Sequence, residues 1–250
     1  MNEKIGKDET LDILCNEGLK IIQKKEGYRF SIDAILLANF IILKKDERLL
    51  DIGTGCGIIP IYISKKGYKN YMVGIEIQEE LLCLAIKNKA LNKCEHIQFL
   101  NGDIKSNTKE LKKTHFHVIV SNPPYTKEST GRRSPKHSRF IARYESSLNL
   151  ADLISTSSAL LHKGGRLYVI YPSKRLGELI HTAREKRLEP KRLRFIHSKK
   201  EEKSNLFLTE FIKEGGIGTT VEQPLYIYEN GSYTEEIKTY YTLKACIWKA

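Results

Sequence analysis

One segment constrains the fold of this 250-residue chain more than any other. It reads Leu50-Asp51-Ile52-Gly53-Thr54-Gly55-Cys56-Gly57 and runs directly into Ile58-Ile59-Pro60-Ile61. An apolar run carries an acid, three glycines alternate with other residues, and an apolar stretch compatible with a helix follows. Glycine reaches backbone conformations closed to other residues and lets a ligand approach main-chain N–H groups. The N-terminus of the following helix adds a positive field. Strand, glycine loop and helix in this order belong to a parallel α/β sheet.

The rest of the chain keeps that alternation. Strands are expected at Arg48 to Ile52, Tyr71 to Glu76, Ile97 to Leu100, His117 to Ser121, Arg166 to Tyr171, Arg192 to His197 and Leu206 to Ile212. Helices are expected at Ile58 to Lys65, Glu79 to Asn92, Ser147 to His162 and near Arg175 to Lys186, with Gly164-Gly165 as a helix stop and strand entry. Helical crossovers between strands imply a doubly wound sheet. The connection Ser198 to Asn205 is too short for one, so the last two strands read as an antiparallel hairpin. The expected fold is α/β: a doubly wound, mostly parallel seven-stranded sheet with an antiparallel last strand. Residues 1–45 read as a β-hairpin (Leu19 to Ile22 against Tyr28 to Phe30) and a helix from Ile32 to Leu43 with Ser31 as N-cap, packed on the core. Residues 46–214 form that core. Gly215-Gly216-Ile217-Gly218 breaks the pattern, and 215–250 reads as an appendage of the same domain with a short strand and turn at Leu225 to Tyr233.

The glycine spacing is G-x-G-x-G, not the G-x-G-x-x-G of a dinucleotide site, and suits a loop passing under a methionine moiety and a ribose. The second strand ends in Glu76, placed to accept both ribose hydroxyls. The third ends Asn101-Gly102-Asp103, which offers a carboxylate to an adenine amine. Acids at three successive strand ends behind a glycine loop match an S-adenosylmethionine site. The fourth strand runs into Asn122-Pro123-Pro124-Tyr125. Two prolines stiffen that turn, so the Asn122 amide oxygen and the Pro123 carbonyl can point one way as acceptors. Two acceptors holding the N–H bonds of an exocyclic amine let its nitrogen pyramidalise towards a methyl donor, and positioning supplies most of the acceleration. Tyr125 offers a ring on which a flipped base can stack.

Together, Asp51 to Gly57 and Asn122 to Tyr125 resemble the class I S-adenosylmethionine-dependent methyltransferases that modify a planar amide or amine nitrogen. The stretch Gly27 to Ala38 and the sequence Ile141-Ala142-Arg143-Tyr144-Glu145 narrow the resemblance to the bacterial tRNA(Val) adenine-N6 methyltransferases, which act on adenine 37 of the anticodon loop. That resemblance runs from about Leu19 to Gly216. It implies that Gly53, Gly55, Glu76 and Asp103 bind the cofactor, with Asp33 near it, and that Asn122, Pro123 and Tyr125 hold the target base. Asp51, Gly57, Ile77, Ile104 and Asn122 complete the expected cofactor set. Thr126 stands where that family usually has an aromatic, and Tyr144 where His is common. Three other functions share the motifs: a protein-glutamine methyltransferase of the release-factor type, an rRNA or DNA amino-methyltransferase, and a non-catalytic RNA-binding module. The first carries a helical N-terminal domain, whereas a hairpin precedes the core here.

Charge points the same way. Forty-two Lys and Arg face thirty Asp and Glu, a formal net charge of +12, which favours a polyanionic partner such as tRNA. One cluster of positives, Lys127, Arg132, Arg133, Lys136, Arg139 and Arg143, directly follows the Asn-Pro-Pro-Tyr turn and is suited to phosphates. A second run lies between Arg184 and Lys203, with Phe195 and His197 interleaved. The five cysteines are odd in number and lack C-x-x-C spacing, so no disulfide framework or zinc site is expected. His115 and His117 read as a strand edge rather than a metal pair. No apolar run approaches the ~20 residues of a membrane span, and the N-terminal residues lack the apolar core of a signal peptide. The expected location is the cytoplasm.

Overall fold

The computed structural model describes residues 5–16, 18–27, 29–123 and 148–243. At its centre β3 (Leu49–Ile52) pairs parallel with β4 (Met72–Glu76), which pairs parallel with β5 (Ile97–Asn101). On the other side β3 pairs parallel with β6 (Phe116–Ser121), and β6 with β7 (Leu161–Pro172). β9 (Leu206–Lys213) then runs antiparallel between β7 and β8 (Leu188–His197). The expected doubly wound sheet, with its antiparallel hairpin at one side, is therefore present.

Its edge differs from expectation. Two short strands, β10 (Thr220–Val221) and β11 (Leu225–Tyr226), pair parallel with the outer edge of β8, so the sheet has nine strands rather than seven. An open sheet edge presents unpaired N–H and C=O groups, and residues after 215 cover these. Two-residue strands leave little periodicity to read.

Every residue of β3 and β4 is buried, as befits parallel strands covered on both faces. Alternation sends Val118 and Val120 to one face and Ile119 to the other. The first face packs on α1 (Ile32–Phe40), α2 (Ile58–Lys65) and α3 (Glu79–Asn92) through Ile35, Tyr62 and Leu84. The second packs on α4 (Ile104–Lys112), α5 (Leu150–Leu160) and α6 (Leu176–Glu185) through Leu111, Ile154 and Leu179.

The N-terminal hairpin is displaced from its expected place. β1 (Glu9–Leu14) pairs antiparallel with β2 (Leu19–Lys24), and the turn lies at Cys15 and Asn16, both with positive φ. Arg29 and Phe30 form no strand; they return by side-chain hydrogen bonds, Phe30 N–H donating to Gln23 Oε1 at 3.1 Å. The other edge of β2 docks on α3 through two carboxamides one helical turn apart. Asn88 Oδ1 accepts from Ile22 N–H at 2.6 Å, and Asn88 Nδ2 donates to Ile22 C=O at 2.9 Å. Asn92 does the same for Lys20, at 3.1 and 2.6 Å. A helix thus stands in for a third strand.

α1 stops at Phe40, short of Leu43, and Ser31 occupies the N-cap position without a side-chain capping bond. α5 begins after Asn149, whose side chain accepts from Asp152 N–H. α4 and α7 (Glu235–Tyr240) were not expected. α4 buries only Ile104 and Leu111, seven residues apart on one face, so few apolar residues mark it in the sequence.

Candidate active site

The C-terminal ends of β3, β4, β5 and β6 meet on one rim. Gly53, Gly55 and Gly57 all have positive φ, at 74°, 59° and 81°, which explains three glycines in five residues. Gly53 and Thr54 N–H both donate to Ile75 C=O, at 3.0 and 3.1 Å, so the loop is tied to β4. Gly57 has a second reason to be glycine: a Cβ there would lie 2.6 Å from Phe99 Cζ.

The acids hold this loop from below. Asp51 is 1% exposed; its Oδ2 accepts from Thr54 Oγ1 at 2.6 Å, and its Oδ1 has no partner. Burial, reinforced by the Glu76 charge and opposed by Thr54, pushes its pKa up to about 7. Glu76 is equally buried and accepts from Gly55 N–H at 2.9 Å and Gln78 N–H at 3.0 Å. Burial holds its carboxyl above the usual range, against those backbone hydrogen bonds. Asp103 caps α4, its Oδ1 accepting from Lys105 N–H at 2.9 Å.

A cleft opens above, lined by Ile52, Gly53, Ile75, Ile77, Gly102, Asp103, Ile104 and Leu148. Of the expected cofactor residues, Gly53, Ile77, Asp103 and Ile104 line it. Asp51, Gly55 and Glu76 belong to the network supporting its loop, and Gly57 packs beneath on Phe99. Asp33 is buried in the first turn of α1 and does not line this cleft. Isoleucine walls and the Asp103 carboxylate suit a flat, cationic nucleoside, and the unpartnered Asp51 Oδ1 is a buried acceptor beside the loop.

Asn122 and Pro123 follow β6 directly, next to β3. Ser121 Oγ donates to Ile52 C=O at 2.9 Å and locks this strand end to the start of the glycine loop. Pro123 is buried and lines a second cleft with Leu148, Asn149, Leu150, Leu153, Tyr171 and Arg175. Leu148 borders both clefts. Tyr125, Lys127, Arg132, Arg133, Lys136, Arg139 and Arg143, like Thr126 and Tyr144, lie outside the described residues. Sequence reasoning missed Ser121, Phe99 and Leu148. A buried serine just before Asn-Pro-Pro was the available signal for the first, and nothing marked the others.

Four of the nine Lys and Arg in the second basic run are held in ion pairs. Arg192 pairs with Glu210 and Glu222, Arg194 with Glu236, Arg184 with Glu189, and Arg187 with Glu214. His117 Nδ1 accepts from Arg48 N–H, and its ring meets His162 edge-on at 5.0 Å, on a strand that begins at the opposite rim. Among the described residues no three His, Cys, Asp or Glu cluster as metal ligands, and no helix is long and apolar enough to cross a membrane.

A family profile described as a methyltransferase domain matches residues 43–220. The chain belongs to this methyltransferase family. Its match covers β3 to β9 and both clefts. A Porphyromonas gingivalis protein named tRNA1(Val) (adenine(37)-N6)-methyltransferase is 33% identical over 168 residues, 66% of this chain and 65% of that protein. The chain thus spans just under two thirds of that relative. A Parabacteroides distasonis protein of the same name is 29% identical over 67% of this chain and 70% of its own length. In fold, this methyltransferase matches the crystal structure of a predicted O-methyltransferase from Agrobacterium tumefaciens. The TM-score is 0.69 at 23% identity, covering 86% of this chain and 98% of that one.

Proposed function

We propose that this methyltransferase transfers a methyl group from S-adenosylmethionine to the exocyclic N6 amine of an adenine in tRNA, at position 37 of the anticodon loop. One observation carries the reading. Asn122 and Pro123 follow the strand that Ser121 locks to Ile52, beside a glycine loop backed by two buried carboxylates. The curated relatives share that reaction in their names.

S-adenosylmethionine supplies, when bound, an electrophilic methyl group on a sulfonium. Asp103 would accept from the adenine amine, with Ile77 and Ile104 against the ring and residues 53–57 under the methionine part; Glu76, whose oxygens accept from Gly55 and Gln78 N–H, would accept from the ribose hydroxyls only by giving up the Gly55 bond. The Asn122 side-chain oxygen and the Pro123 carbonyl accept the two N–H bonds of the target amine and free its lone pair for attack. Held acceptors aimed at developing charge replace a strong base. Tyr125 stacks the base, and the positives from Lys127 to Arg143 hold the flanking phosphates.

The test is incubation with labelled cofactor and, separately, unmodified tRNA, total RNA and a protein extract, followed by nucleoside and amino-acid analysis. The expected product is N6-methyladenine in tRNA. Label confined to protein glutamine would replace this reading with the amide-methylating one. Asn122→Ala is expected to abolish transfer while calorimetric cofactor affinity stays within a few-fold; full activity in that variant refutes the assigned role.

A further inference from the structure

The segment after β11 presents tyrosine rings at the surface. Ile227 N–H donates to His197 C=O at 3.0 Å, and Tyr228 N–H to Ser198 C=O at 2.9 Å, so the chain continues along the end of β8. A tight hairpin follows, with Asn230 and Gly231 both at positive φ, the pattern of a two-residue turn. It sets Tyr228 opposite Tyr233 with rings stacked, centroids 5.2 Å apart and 16° from parallel. α7 then returns Tyr241 to the Tyr233 ring, at 5.7 Å and 10°. The segment is anchored by Leu225 and Ile237, 1% and 0% exposed, and by Thr234, whose hydroxyl donates to Tyr226 C=O. Yet Tyr228 and Tyr233 remain 39% and 36% exposed. Cross-strand ring stacking stabilises the hairpin, and it leaves the outer rung of the ladder, Tyr228, open to solvent.

Its place on the sheet is informative. β8 runs in the same direction as β6, so Tyr228 stands on the rim that carries Asn122. From β6 to β11 there are four strand spacings, roughly 19 Å at ~4.8 Å each. The neighbouring loop carries Lys199, Lys200 and Lys203, all exposed, against exposed Glu201 and Glu202. Its balance is only weakly positive, so stacking is the main interaction available there and phosphate attraction the lesser one.

We propose that Tyr228, backed by the Tyr233 ring, forms a stacking platform for an unpaired base of the RNA substrate, outside the segment that holds the target adenine. Every base has a π-face, so such a platform tolerates sequence and holds position. The proposal rests on the reading that the substrate is RNA.

The experiment compares wild type, Tyr228→Ala/Tyr233→Ala and Tyr228→Phe/Tyr233→Phe for affinity to unmodified tRNA, with calorimetric S-adenosylmethionine binding as the control. The alanine pair is expected to weaken the RNA Kd roughly 5- to 100-fold. Cofactor affinity should not change, and the phenylalanine pair should bind RNA within about two-fold of wild type, because stacking needs the ring and not the hydroxyl. Photo-crosslinking of iodouridine-substituted tRNA to wild type, mapped by mass spectrometry, supplies a measurement independent of variant folding; adducts at Tyr228 or Tyr233 are expected. Unchanged RNA affinity in a folded alanine pair overturns the platform, as do crosslinks confined to other segments. Absence of any RNA binding by wild type overturns the RNA reading itself, and the platform with it.

Discussion

Replacing Asp51 by Asn tests the electrostatics of the glycine loop. The carboxyl is buried, takes one hydrogen bond from Thr54, and has its pKa pushed from 3.8 to about 7. A rise of about three units, at about 1.4 kcal/mol per unit, is roughly 4 kcal/mol of penalty on the ionised form. The sign follows from proton counting. Below pH 3.8 both folded and unfolded chains hold the proton, and Asp51 adds no pH dependence. Between 3.8 and about 7 the unfolded chain releases it and the folded chain keeps it, so stability falls as pH rises. Above 7 the penalty is constant. Asn cannot titrate but can accept the same Thr54 bond. The stability of Asp51→Asn relative to wild type, measured by denaturant melts, should therefore rise by roughly 2–3 kcal/mol between pH 5 and pH 7.5 and then level off. Any fixed offset from the new amide cancels in that difference. S-adenosylmethionine is cationic, so its binding should lower the Asp51 pKa again. Calorimetry in buffers of different ionisation enthalpy should show proton release at pH 6, little at pH 8.5, and none assignable to this site in the Asn variant. A pH-independent stability difference together with no proton release would refute the reasoning.

Two further predictions concern the scaffold and the substrate. Asn88→Ala leaves the N–H and C=O of Ile22 and the C=O of Cys56 without their buried partner, and at about 1–3 kcal/mol per group should destabilise by about 3 kcal/mol or more in urea melts. A loss below about 1 kcal/mol would show that the hairpin does not lean on this carboxamide. Affinity for tRNA should fall steeply with salt, each phosphate contact adding about −0.7 to −0.9 to the slope of log K against log salt; a flat response would remove the positives between Lys127 and Arg143 from any phosphate role.

What was legible in the sequence follows from how much of each element is fixed by neighbours in the chain. β3, the glycine loop and α2 read correctly from Leu50 to Lys65 because buried strand, positive-φ glycines and apolar helix each leave a strong local mark. The β8–β9 hairpin followed from a connection too short for a helix. The N-terminal hairpin was misplaced because two nearby stretches carry turn residues: Lys24 to Gly27 read as the turn, whereas the observed one closes at Cys15, with Gly18 N–H donating to its carbonyl. α4 was missed because only two apolar residues, Ile104 and Leu111, mark its inner face, and because Asp103 at its start was read as a ligand and not as the helix cap it forms. The run from Arg184 to Lys203 looked like an open basic face because its partners, Glu210, Glu222 and Glu236, come from other elements. Charge counted along a chain overstates surface potential wherever strands bring acids alongside.

The hairpin owes its place to the same cause that makes the glycine loop costly. Three positive-φ glycines give up more conformational freedom on folding than other residues would, so the loop needs fixed points on both sides. Gly53 and Thr54 have theirs on Ile75, and Gly55 has its own on Glu76. On the far side, the Cys56 carbonyl accepts from the Asn88 amide that also holds Ile22 of the hairpin, at 2.9 Å each. Hairpin, α3 and loop are therefore one hydrogen-bonded unit. The N-terminal strands stabilise the floor of the cleft without touching it, and a change at Ile22 or Asn88 should reach the cofactor through Cys56 rather than through any contact of its own.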